Sequence, residues 1–154
     1  MAYAPIEDHG IIGDLNTVAL VATDGTIDFL CLPDFDSPTV FAALLDDRKG
    51  GHFKIAPVLE GERRKQLYLP DSAVLLTRFL ADEGVAELSD FMPVEEVARG
   101  HTIVRRAKTV RGRLRYRMEC APRFDYARAR HTVALGPGGA LFRSAPRGAD
   151  RGGD

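Results

Sequence analysis

Apolar and polar positions alternate in short runs along most of this chain, and turn-forming pairs separate the runs, a pattern of strands rather than long helices. Residues 17–23 and 26–32 are rich in β-branched and apolar side chains and flank Asp24-Gly25. Glycine there supplies the positive φ that a tight or bulged turn needs, so the two runs read as a hairpin. In the second arm Ile27, Phe29 and Cys31 share one face, and Asp28, Leu30 and Leu32 the other. Both faces are largely apolar, so this strand is expected to be covered on two sides. Pro33 ends it, having no amide hydrogen to donate.

Ser37-Pro38, with Phe41, Leu44 and Leu45 at helical spacing behind it, reads as an N-cap and a proline opening a short helix over 38–46. Asp34-Phe35-Asp36 is then a short loop between strand and helix. Residues 51–56 read as a strand ended by Pro57, and 60–65 as a polar connection. Residues 73–80 and 85–91 flank Asp82-Glu83-Gly84, a second hairpin signal. The cleanest alternation is in 113–120, where Leu114, Tyr116, Met118 and Cys120 oppose Arg113, Arg115, Arg117 and Glu119. Residues 102–110 are expected to pair with that run across Arg111-Gly112. A last hairpin is expected from 132–135 and 140–143 around Gly136-Pro137-Gly138-Gly139. The fold class is therefore all-β, an antiparallel β-sandwich over 1–145 with one short helix near 38–46. Residues 146–154 have too little apolar content to order themselves and are expected to form a flexible tail.

Composition narrows the function more than the fold. At 154 residues and 45% hydrophobic content, one core burying about two-thirds of the unfolded surface is expected. A net charge of −1 gives no bias toward nucleic acid or anionic membrane. There is no apolar run long enough to span a bilayer, and the opening residues carry acidic groups, so a cytoplasmic location is the expectation. Cys31 and Cys120 read as two buried, reduced thiols. His9, His52, His101 and His131 are scattered without metal-ligand spacing, and neither a metal nor a cofactor is expected.

Two segments carry candidate chemistry. Asp34 and Asp36 form a carboxylate pair, but glycoside cleavage needs two opposed groups enclosing a sugar, and nothing in the pattern supplies a second wall. A pocket-rim role for Phe35, Asp36 and Ser37 is the better reading, with simple packing of a domain interface as its alternative. Arg123, Asp125 and Tyr126 read as interface residues, where an arginine, a carboxylate and an aromatic staple a strand end to a neighbouring domain, with binding of sugar hydroxyls by the same groups as the alternative. Between Arg99 and Arg117 there are eight arginines or lysines and no acid. Aromatic interleaving is poor there, so a charged outer face is favoured over nucleic-acid binding.

The run PIEDHGIIGDLNTVALVATDGTIDFLCLPDFDSPTVFAALLDDRKGGHFKIAP, followed by Tyr68-Leu-Pro-Asp71, Ser89-Asp-Phe-Met-Pro93, Ile103-Val-Arg-Arg106 and Pro122-Arg-Phe-Asp-Tyr126, resembles the opening of bacterial trehalase-like and glucoamylase-like proteins of glycoside hydrolase family 15. Phe29 stands where such proteins often carry tryptophan, and Asp34 where they often carry arginine. The resemblance implies an N-terminal β-sandwich preceding a catalytic α/α-barrel, which this sequence does not include, and inverting hydrolysis of an α-glucoside such as trehalose or a maltooligosaccharide. The chain alone is expected to be non-catalytic, with the barrel as partner. The alternatives are a stand-alone carbohydrate-binding module and a protein-interaction module.

Overall fold

The computed structural model describes residues 3–94 and 100–145. A single 3-10 turn (Ile6–Asp8) leads into β1 (His9–Gly13), β2 (Val18–Ala22) and β3 (Thr26–Cys31), followed by the short β4 (Thr39–Phe41) and β5 (His52–Pro57). Next come β6 (Arg63–Tyr68), β7 (Leu75–Ala81), β8 (Gly84–Phe91) and β9 (Val104–Arg111). The described chain closes with β10 (Tyr116–Ala121), the one-turn α1 (Phe124–Ala127), β11 (His131–Gly136) and β12 (Gly139–Ser144). Two antiparallel sheets result, one ordered β1-β2-β3-β5-β10 with β4 beside β3, the other β6-β7-β8-β9, while β11 and β12 form a separate ribbon. This is the expected all-β sandwich.

The sheets meet through their alternating faces. Ile12, Val21, Ile27 and Leu30 of the first sheet pack with Leu75 and Met92, and Phe79 and Leu88 of the second pack against Ile55 and Leu114. Each large side chain buried this way stabilises the fold by about 1.5–3 kcal/mol. Gly25 has φ +82°, and an added Cβ would run into the Ile55 carbonyl. Its own carbonyl accepts from the Ile55 amide at 3.1 Å and from Arg105 Nη2 at 2.8 Å. Glycine in this turn therefore serves both the hairpin and the joint between sheets.

Arg105 of β9 crosses that joint. Its Nε and Nη2 donate to Asp90 at 2.8 and 3.2 Å, its Nη1 donates to the Phe53 carbonyl at 2.7 Å, and its guanidinium lies 4.8 Å from the Phe53 ring centre. Asp90 is fully buried. Edge strand β1 is held at three places. The Tyr68 hydroxyl accepts from the Ile11 amide at 2.9 Å and donates to the Ile11 carbonyl at 2.8 Å. His9 meets Asp28 at 2.8 Å at one end, and His101 meets Asp14 at 2.5 Å just past the other.

Four expectations are corrected. No helix spans 38–46: β4 pairs with β3 through Leu30–Phe41 and Cys31–Thr39, and hydrogen-bonded turns follow. The polar residues 60–65 were expected to connect, yet Arg63–Tyr68 is a strand paired with β7; it is a sheet edge, where charged side chains reach solvent. The runs on either side of Arg111-Gly112 do not form a hairpin, because β9 pairs with β8 and β10 with β5. Gly112, at φ +86°, instead carries the chain from one sheet to the other. Finally, among the described residues β10 pairs with β5 alone at a sheet edge, and Met118 is 69% exposed and Cys120 exposed rather than in the core. Both cysteines are free thiols, Cys31 buried. The expected tail at 146–154 lies outside the described residues. Among the described residues, no helix is long and apolar enough to cross a membrane.

Candidate functional site

Beyond β3 the chain closes a tight turn before entering β4. The Asp34 amide donates to Ser37 Oγ at 3.0 Å, and the Ser37 amide donates back to the Asp34 carbonyl at 3.1 Å. Ser37 is therefore not the N-cap expected of it: its hydroxyl accepts from an amide three residues behind it and closes the loop, where an N-cap would accept from the turn ahead. Phe35 projects from this turn at 59% exposure, beside an exposed Asp36. Burial pushes the Cys31 thiol above its usual range, and the negative charge of Asp36 adds to the effect.

The second candidate segment comes to the same place. The Arg123 amide donates to the Val40 carbonyl at 2.9 Å, and the Tyr126 amide donates to Thr39 Oγ1 at 2.9 Å. Asp125, Tyr126 and Ala127 all have left-handed backbones, with φ of 52°, 55° and 62°. Such conformations are costly for residues with a Cβ, and the turn is held by added bonds. Arg128 Nη2 donates to the buried Asp125 carboxylate at 2.8 Å, Arg128 Nε donates to the Asp125 carbonyl at 3.1 Å, and the guanidinium sits 5.6 Å from the Tyr126 ring centre. The Arg123 side chain turns to the Pro122 carbonyl, so the arginine that meets Asp125 is Arg128.

Between these segments lies a groove of about 400 Å³ lined by Leu32, Pro38, Val40, Phe124, Asp125 and Ala145 among others. Its walls are chiefly apolar. The exposed Phe35 and Asp36 stand on the turn between Leu32 and Pro38, which themselves line the apolar groove; this suits packing against another surface and contact with a polyol. Asp34 and Asp36 occupy one exposed turn side by side, without the opposed placement that acid–base cleavage of an acetal requires. Among the described residues, no cluster of three or more His, Cys, Asp or Glu side chains is arranged to hold a metal ion.

Sequence reasoning found both segments but not their meeting. It missed Thr39, the buried hydroxyl joining them, and Arg128, the partner of Asp125. The β-branched run Thr39-Val40 before Phe41 was a signal against the helix; nothing local marked Arg128 among its neighbouring arginines. Of the basic stretch, Arg105 is buried between the sheets, where it serves the joint and not an outer face.

Comparison with known proteins gives this geometry its context. The family described as "Trehalase-like, N-terminal" matches residues 1–144. A trehalase of Mycolicibacterium smegmatis is 31% identical over 148 residues, covering 84% of this chain and 22% of that protein. Trehalase 1 of Sulfolobus acidocaldarius is 38% identical over 133 residues, covering 86% and 22%. A trehalase of Thermoplasma volcanium is 42% identical over 96 residues, covering 61% and 15%. The chain thus spans between 15% and 22% of the length of these relatives, and no solved structure matches it. With nearly its whole described length matched, the chain belongs to the trehalase-like N-terminal domain family.

Proposed function

We propose that this domain is the non-catalytic N-terminal β-sandwich of a cytoplasmic glycoside hydrolase of family 15, trehalase-like or glucoamylase-like, whose α/α-barrel cleaves an α-glucosidic bond with inversion. The domain supports the barrel through the groove behind the 34–37 turn, and Phe35, Asp36 and Ser37 reach the rim of its sugar pocket. Arg123, Asp125 and Tyr126 form the other wall of that interface. Trehalose or a maltooligosaccharide is the substrate of the joined protein, and no cofactor takes part.

The observation that carries this reading is that Leu32 and Pro38, which flank the 34–37 turn, line one apolar groove together with Phe124 and Asp125. Two hydrogen bonds from the 123–126 turn fix it to β4, and Ala145, just past β12, lines the same groove. Most of each matched trehalase lies outside the match, which leaves ample chain for a partner there. The two free thiols agree with a reducing compartment.

The test uses the purified chain alone and mixed with the remainder of a matched trehalase produced without its own corresponding segment. The chain alone is expected to release no glucose from trehalose or maltooligosaccharides, and to raise the solubility and activity of the remainder on mixing. Val40→Asp should abolish that gain by placing a charge in the groove, and Phe35→Ala should raise KM more than it lowers kcat. Glucose release by the lone chain, lost on changing Asp34 or Asp36 to asparagine, would refute the proposal. The exposure of Phe35 favours a second reading, a stand-alone sugar-binding module. Calorimetric binding of trehalose by the lone chain at about millimolar affinity would select it.

A further inference from the structure

A second, smaller cavity of about 60 Å³ lies apart from the groove, where the segment before β1, the β2–β3 turn and the chain after β4 come together. Asp24, Thr26 and Asp28 line it, and Tyr3, Ala43 and Leu44 form its less buried collar. Thr26 and Asp28 are only 6% and 7% exposed. Asp28 uses Oδ2 for His9, and Asp24 uses Oδ2 for Lys54 at 2.6 Å. That leaves Asp28 Oδ1 buried without a hydrogen-bond partner among the described residues, and Thr26 Oγ1 buried with no bond beyond its influence on the Asp24 carboxylate.

These features select a ligand class. A carboxylate oxygen can only accept, so whatever satisfies Asp28 Oδ1 must donate. Burial pushes the Asp28 carboxyl above its ordinary range against the pull of His9, and the charge on Asp24 adds to the rise. A neutral hydroxyl could satisfy Asp28 Oδ1, but a donor carrying positive charge gains more in a cavity lined by Asp24, Asp28 and Asp47. The volume suits an ammonium head, and the collar of Ala43, Leu44 and Tyr3 suits a methylene stem.

We propose that this cavity binds a primary alkylammonium group, its head on Asp28 Oδ1 and Thr26 Oγ1 and its stem along Ala43, Leu44 and Tyr3. The group belongs either to a lysine side chain of a partner or to a free amine; the recognition chemistry is the same.

The experiment titrates the isotope-labelled chain with n-butylammonium chloride, with Nα-acetyl-lysine N-methylamide and with 1-butanol, all at constant ionic strength, following backbone amide shifts. Saturable shifts centred on Thr26, Asp28 and Leu44 are expected for both amines, with 1-butanol at least about tenfold weaker. Asp28→Asn should weaken amine binding by about tenfold or more, with circular dichroism confirming the fold. Thr26→Val, which keeps the β-branched shape and leaves the His9–Asp28 pair intact, should weaken it several-fold and serves where the asparagine variant fails to fold. Tighter binding of the lysine derivative identifies a partner side chain, and equal affinities a free amine. A response to 1-butanol equal to that of the amines, shifts that never saturate, or unchanged binding in the folded variants would overturn the proposal.

Discussion

Replacing Arg105 by methionine tests the account of how the two sheets are joined. The substitution keeps most of the aliphatic stem but removes two bonds to Asp90, one each to the Phe53 and Gly25 carbonyls, and the contact with the Phe53 ring. The largest cost comes from Asp90. Its side chain is 0% exposed and Arg105 is its ion-pair partner, so the variant holds an uncompensated carboxylate between the sheets, worth about 3–5 kcal/mol. The Gly25 carbonyl retains the Ile55 amide and adds little. Against a total stability of about 5–15 kcal/mol for such a domain, the loss is severe, and at about 2–4 °C per kcal/mol the melting temperature falls by about 6–20 °C. Urea denaturation followed by circular dichroism measures it.

The charge argument has a signature that lost packing does not share. Burial already holds the Asp90 carboxyl above the ordinary range, with Arg105 pulling the other way. Without Arg105 the carboxyl rises further, and an acid whose folded value is raised stabilises the fold as it takes up a proton. The gap between variant and parent should therefore narrow as pH falls from 7 to 5. Removing both charges, Asp90→Leu with Arg105→Met, should regain at least about 2 kcal/mol over the single variant, because no buried charge is left unpaired. A single-variant cost below about 1 kcal/mol, or a double variant no better than the single one, refutes the reasoning.

Three further outcomes follow from the same structure. The Asp14 carboxyl is held low because the bonds from His101 and from the Thr17 and Asn16 amides outweigh burial. Its contribution is present above its ordinary value of 3.8 and is lost as pH falls through the lower folded value. Burial opposes the charge on His9, but Asp28 and the Pro5 and Ile6 carbonyls raise it above 6.5; that contribution is full below 6.5 and lost as pH climbs through the folded value. Urea midpoints should accordingly be highest between these limits, and His9→Ala should flatten the alkaline decline. Tyr68→Phe should cost about 1 kcal/mol and speed amide exchange at Ile11, whose amide bonds to that hydroxyl; unchanged exchange would deny the clamp. Ala127→Gly should stabilise by up to about 1 kcal/mol in thermal melts, since φ +62° suits glycine.

The parts of the fold legible in the sequence were those fixed by local chemistry. Asp24-Gly25 and Asp82-Glu83-Gly84 each mark a turn whose flanking runs pair with each other, as β2–β3 and β7–β8. The final hairpin pairs across its glycines in the same way. Errors arose where long-range pairing decided the outcome. Leu44 and Leu45 have helical spacing behind Phe41, but β3 offers Thr39 and Phe41 a strand to pair with, and β-branched residues accept it readily. The alternation of 113–120 was real, yet alternation reports which side chains share a face and not what lies opposite that face. At this edge strand Met118 stays 69% exposed among the described residues. The site shows the same divide: each segment was visible, while the bond from Tyr126 to Thr39 spans 87 residues and leaves no local trace.

The placement of polar bonds separates the two regions of the molecule. At the joint between sheets, Arg105 pairs with Asp90 on the neighbouring strand of its own sheet and reaches the Gly25 and Phe53 carbonyls of the other sheet, while His101 meets Asp14 just past β1, so displacing one sheet leaves buried polar groups of the other unpaired, and the joint resists shear. At the groove the balance is reversed. Phe35 stands in solvent at 59% exposure and Leu135 of the β11–β12 ribbon at 85%, and a two-stranded ribbon is marginal by itself in water. The strained 125–127 turn is tied to β4 through the Thr39 hydroxyl and the neighbouring Arg123–Val40 bond, and to itself by Arg128. A rigid joint beside an apolar groove and ribbon is what a support domain needs, because binding then orders the groove without deforming the sandwich that holds it. By that reasoning a partner docked on the groove should slow amide exchange in the ribbon and around Tyr126 while leaving exchange at Arg105 and Asp90 unchanged.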